Sequence, residues 1–272
     1  WFLGALAFAA CECGRLDEAW DLVERSLASN PRNANGAHIR VHTLYEKGDP
    51  ERAFGYIDGW MHGYAREGVL HCHLSWHVAL LALELGLKER AWEVYHANVR
   101  PGGAWGPPLN VVTDAPAFLW RWELAGQTRQ PEQWREVRAF VDKSFPKAGI
   151  AFVDVHRAVC RAGDDSAGMQ RLVEELRDGM AAGAQPAGQV VTTLAEAFGA
   201  FAGRDWESAI ALFERALPET VRIGGSRAQR DVVEFTMVAA CLNAGRADAA
   251  RRMISSRIDR ESAVVVAGFG AH

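Results

Sequence analysis

Cys13–Leu27 reads CGRLDEAWDLVERSL, and Lys47–Met61 reads KGDPERAFGYIDGWM. Gly14 and Ala19 of the first stretch return as Gly48 and Ala53 of the second, a shift of 34 residues in both cases. Leu85–Val99, LGLKERAWEVYHANV, carries the same pair as Gly86 and Ala91, again five residues apart and 38 further on. The apolar residues around these marks recur with helical rather than alternating period. A glycine that ends one helix, a short turn and an alanine where two helices cross describe one helical hairpin. A supersecondary unit returning at a near-fixed period predicts an array of such hairpins.

This arrangement is similar to the tetratricopeptide motif, and Pro31, after ERSLASN, sits where that motif closes a repeat. Weaker copies continue along the chain. The turn after Gly126 is longer, Gly163 is followed by Gly168 at the alanine position, Gly203 precedes Ala209 with one extra residue, and Gly245 precedes Ala250 by five. About seven hairpins result, and no stretch alternates well enough to predict a strand. The expected fold is all-α: a right-handed α-α superhelix of tetratricopeptide-like hairpins, with residues 1–272 forming a single solenoid domain. The chain opens at Trp1 inside a helical pattern, which predicts that an N-terminal part of a longer protein precedes it. Gly- and Pro-rich connections are expected at Arg100–Asn110 and Met180–Gly188.

The motif's register implies which side chains line its concave face. In the second repeat these include His38, His42 and Glu46; in the third they are His73, Trp76, His77, Leu80, Leu83 and Glu84. Phe8 and Glu12 take equivalent places in the first. His38 and His42 are four apart, as are His73 and His77, and residues so spaced stack on one helix face. Two adjacent repeats therefore present two histidine pairs to one wall. Asp154 and Arg157 fall on groove positions of a later repeat, while His156 falls on a position that packs between helices. Ser226 and Gln229 have the spacing of a helix capping box, and Gln229 with Arg230 is placed to clamp a carboxylate or phosphate at a helix entrance. Asp114, in TDAPAF, is expected to begin a helix.

Composition removes several function classes. Thirty basic residues against 34 acidic give a net charge of −4, which argues against nucleic acid as the main partner. The longest apolar runs, such as Val78–Leu83, are too short for a membrane span. Five cysteines without paired spacing predict buried free thiols and a cytoplasmic protein. There is no GxxxxGK[ST] and no strand-borne GxGxxG. Helical zinc sites of the H-E-x-x-H kind carry a glutamate base, whereas His73 and His77 enclose Leu74, Ser75 and Trp76. No metal or cofactor is therefore expected, and no catalytic residue is assigned.

The stretch CHLSWHVALLALELGLKERAWEVY resembles a segment of the tetratricopeptide repeat protein 38 family. GAHIRVHTLYEKGDPERAFGYIDGW, DAPAFLWRWELAG, AFVDVHRAVCRAG and the long RIGGSRAQRDVVEFTMVAACLNAGRADAARRMISSRIDRES are similar to further family segments, in order. Ser75 departs from that pattern where an aromatic is common, and Val153 where Asn is common. The resemblance implies a superhelix with a polar, histidine-lined interior. The expected function is recognition of a peptide, protein or small-molecule ligand in the concave channel. The second expectation is an acid/base or metal-assisted enzyme using the same His, Glu and Asp side chains. The third is a structural module that assembles with other subunits, including copies of itself.

Overall fold

The computed structural model describes residues 2–255 and 264–269, and among these every regular element is helical. The chain divides into two compact units, the first ending at Val111 and the second starting at Val112.

In the first unit, α1 (Phe2–Glu12) pairs with α2 (Leu16–Ser29), α3 (Ala34–Lys47) with α4 (Pro50–Met61), and α5 (His71–Glu84) with α6 (Lys88–Val94). Each helix packs on the next, and α1 also packs on α3. The starts follow sequence chemistry. Asn33 caps α3 by accepting from the backbone N–H groups of Asn35 and Gly36, and Pro50 stands in the first turn of α4, where no N–H is required. The ends are equally legible. Gly14, Gly48 and Gly86 lie in the left-handed region, with φ of 75°, 76° and 73°. Their N–H groups return to the carbonyls three residues back, and the next N–H to those five back, which closes the orphan carbonyls of each helix. Ala19, Ala53 and Ala91 are fully buried at the crossings.

α5 differs from its neighbours. It is buried along nearly its whole length, from His71 to Leu83, and an α-helix apolar on all sides belongs at the centre of a packed layer. α6 runs into a π-helical turn at Tyr95–Val99, a local widening often found beside functional sites.

The second unit contains most of α7 (Pro108–Leu124), then α8 (Pro131–Ser144), α9 (Ala151–Arg161), α10 (Ser166–Ala181), α11 (Val190–Ala202), α12 (Trp206–Ala216), α13 (Arg227–Asn243) and α14 (Ala247–Ser255). From α8 onward consecutive helices pack, and α11 also packs on α9 and α13. Its core is aromatic: Trp120 lies against Trp134, Phe198 and Phe201, and its indole N–H donates to Thr236 Oγ1 at 2.8 Å. The predicted capping box is present, with Ser226 accepting from the Gln229 N–H and the Gln229 side chain accepting from the Ser226 N–H.

Four details differ from the sequence reading. Asp114 does not begin a helix: α7 starts at Pro108, so Asp114 lies inside it and is 1% exposed. Pro116 is carried within the helix rather than at its start, Pro108 already occupying the first turn. For the same reason the Gly- and Pro-rich connection ends at Pro107 rather than Asn110. The turn before α12 has no extra residue. Its left-handed position is Arg204, with φ of 60°, five residues before Ala209, and Gly203 is the right-handed residue that caps α11. Finally, Cys11, Cys72, Cys160 and Cys241 are buried free thiols, but Cys13 is exposed, in the turn that follows α1. No helix among the described residues is long and apolar enough to cross a membrane.

Candidate functional site

The two histidine pairs meet. α3 offers His38 and His42 one turn apart, α5 offers His73 and His77 one turn apart, and the four rings form one cluster in the first unit. His42 Nε2 lies 2.8 Å from His38 Nε2, and His73 Nε2 lies 3.0 Å from the same atom. One nitrogen from each of the four rings falls within 4.8 Å of all the others. Ring centroids are 4.4 Å apart for His38 and His42, 4.7 Å for His38 and His73, 4.7 Å for His42 and His77, and 4.9 Å for His73 and His77.

Aromatic side chains wall the cluster on two sides. Phe8 of α1 meets the His42 ring edge-on at 5.5 Å and stacks toward His38 at 6.3 Å. Trp76, fully buried, stacks on His73 at 5.3 Å and meets His77 at 4.9 Å. His42, His73 and His77 are 1%, 7% and 2% exposed, and only His38 is partly open. The site is an enclosed chamber of imidazoles rather than a row of side chains on an open groove.

Burial sets the charge of these rings. It pushes His38 well below its usual value, with the neighbouring His42 and His73 adding in the same direction. His42 falls to about 3, first through burial and then through His73. Both rings are thus neutral near pH 7, because an apolar enclosure penalises the cation. Neutral imidazoles offer bare lone pairs. The chemistry open to them is to donate one hydrogen bond through the protonated nitrogen and, through the other, to accept one or to ligate a metal.

The remaining expected site residues fall into two groups. Glu46 is buried one turn beyond His42 on α3, and Glu84 is half-buried at the end of α5, so both share the helices that carry the cluster. Asp154, Arg157, Gln229 and Arg230 belong to the second unit and have local partners. Asp154 is fully buried, accepts from the Gly149 N–H at 2.8 Å and pairs with Arg157 at 3.3 Å, while Arg157 also reaches Glu175 at 3.1 Å. Burial raises the Asp154 carboxyl against the opposing pull of Gly149 and Arg157. Gln229 closes the capping box, and Arg230 donates to the Gly225 carbonyl at the same helix entrance.

Two polar features of the structure escaped the sequence. On the opposite edge of α5, His71 and Ser75 line a cavity of about 160 Å³ with Asp58, His62, Arg90 and Asn98. Their one-turn spacing was a signal, but it was masked by the stronger histidine pairs. In the second unit, His156 is buried near Asp114 and Arg121, both also buried, a grouping hidden by the reading of Asp114 as a helix-start residue.

No known protein-family model matches the chain.

Proposed function

We propose that the chain is a tetratricopeptide-like right-handed superhelix of the tetratricopeptide repeat protein 38 kind, and that it functions as a binding protein whose ligand centre is the imidazole chamber of the first unit. Convergence of four imidazoles from two helices on one enclosed point carries this reading. Separating buried polar groups from water without giving them a task is costly, so a fold that gathers four of them at one point invites a ligand there. The five-residue spacing of left-handed turn and buried alanine, together with the packing of alternate helices, supports the repeat assignment.

The burial of His42, His73 and His77 favours a small ligand over an extended peptide, because a peptide must reach side chains at a surface. The enzyme reading is less well supported in its acid/base form. Proton transfer at neutral pH works best through groups whose pKa lies near 7, and His38 and His42 are held well below that.

A thermal-shift screen tests the proposal. Small-molecule and ion panels are run against the wild-type chain and against His73→Gln/His77→Gln, with a peptide library in parallel. Stabilisation by a small ligand that vanishes in the variant is the expected outcome. Binding that survives the double substitution, or that is confined to peptides, refutes the chamber as the ligand centre.

A further inference from the structure

We propose that the chamber is a metal site, in which His38, His42, His73 and His77 hold one late first-row divalent ion of the Zn(II) class through four ring nitrogens. This rests on the reading of the chamber as the ligand centre and names the ligand.

The dimensions fit. With Zn–N bonds of about 2.0–2.1 Å, tetrahedral ligand nitrogens stand roughly 3.4 Å apart, and the centroids of rings bound through one nitrogen stand about 5 Å apart. The cluster already has its nitrogens within 4.8 Å of one another, two contacts at 2.8 and 3.0 Å, and ring centroids between 4.4 and 5.1 Å. Closing on an ion requires shifts of an ångström or so at the ring nitrogens, within reach of small χ rotations of side chains.

The pattern of contacts also points to a cation. His38 Nε2 faces both His42 Nε2 and His73 Nε2. A neutral imidazole nitrogen has either one proton or one in-plane lone pair, so hydrogen bonding alone serves two such neighbours poorly. A metal ion at the common point accepts one lone pair from each ring and removes the conflict.

The donor set chooses the ion. Imidazole suits Zn(II), Cu(II), Ni(II) and Co(II), whereas Ca(II) and Mg(II) require oxygen ligands. Four protein ligands close a tetrahedral shell, as in sites that hold a metal rather than expose it to substrate. The walls of Phe8 and Trp76 limit water access, and Glu46, one turn beyond His42, lies on the helix face where a carboxylate offsets the ion's charge.

The test uses the tag-free whole chain, stripped with chelator and titrated with CoCl2, then ZnCl2. The expected result is one equivalent of Co(II) with the intense visible d–d absorption of a tetrahedral ion, displaced by Zn(II). His38→Gln and His73→Gln should each weaken Co(II) binding by more than about 100-fold, beyond what loss of an outer-shell partner costs. His62→Gln and His96→Gln should leave it unchanged. Far-UV circular dichroism checks that the variants fold, and the wild-type titration decides the matter even where a variant does not. No Co(II) uptake, only the weak absorption of a six-coordinate ion, or uptake indifferent to His38 and His73 overturns the proposal. If organic ligands still stabilise the chelated wild type and not His73→Gln/His77→Gln, the metal proposal fails while the ligand chamber stands.

Discussion

Acid should loosen the second unit through one side chain. His156 is 1% exposed, and its Nδ1 lies 2.7 Å from the Phe152 carbonyl, which can only accept, so the ring's proton sits on Nδ1. A second proton would make a buried cation. Burial is the largest influence and brings the pKa down from 6.5 to about 4; the Phe152 bond and Asp114 pull upward, while Arg121 pushes further down. The folded value thus lies below the unfolded one. Above about pH 6.5 neither state is protonated and the neutral ring costs nothing; as pH falls toward 4 the unfolded chain alone takes up the proton, and stability is lost across that window. The full loss is about 3 kcal/mol, and roughly 2 kcal/mol of it has occurred by about pH 5. Urea unfolding of wild type and His156→Gln at about pH 7.5 and about pH 5 isolates the effect, since other titrating groups are common to both chains. Wild type should lose roughly 2 kcal/mol more than the variant over this interval. Equal losses in the two proteins would refute the assignment of His156 as a buried neutral base.

Three further outcomes are expected. Ala79→Leu, at a fully buried position of α5, should overpack the helix and lower stability by about 1–3 kcal/mol, read by urea melt. Gly86→Ala meets no atom within 4 Å at its new Cβ, so its effect should be the backbone cost alone, about 1–2 kcal/mol for an L-residue held at φ of 73°; a larger loss in thermal melting would point to an unseen contact. Arg157→Ala leaves Asp154 buried without its guanidinium and should cost about 3–5 kcal/mol, with Asp154→Asn in the same background recovering part of it.

The helical class was legible because two marks recur in the chain, a turn glycine and an alanine five residues later, and both have direct physical causes. The pairing of His38 with His42 and of His73 with His77 was legible for a similar reason: a four-residue spacing fixes a common face. Depth was not. Periodicity says which way a side chain points, not what lies over it, so the α5 face carrying His73 and His77 reads as the wall of a groove and not as a buried cluster. Only the placement of Phe8 and Trp76 against the rings turns the face into a chamber. Asp154 and Arg157 illustrate the converse. Their register places them toward a groove, yet Gly149, in the turn just before α9, and Glu175, on the next helix, supply their partners, and both side chains are buried. Asp114 was misplaced because Asp is an ordinary residue at a helix start, and an aspartate buried inside a helix reads no differently from one that opens it without knowing where the preceding turn lies.

Arg204 says which of the two repeat marks erodes first. At this turn the N–H of Arg204 reaches the Phe201 carbonyl and that of Asp205 the Ala200 carbonyl, the same closure made by Gly48 and Asp49 on Tyr45 and Leu44. An arginine performs the turn at a backbone cost of about 1–2 kcal/mol. The alanine five residues on has no such freedom, because any larger side chain must push two helices apart. Over evolutionary drift the small residue at the crossing should therefore outlast the glycine. Degenerate hairpins in chains like this one are better found by counting backward from buried alanines than forward from glycines, a ruler that recovers the turn before α12 and restores its spacing.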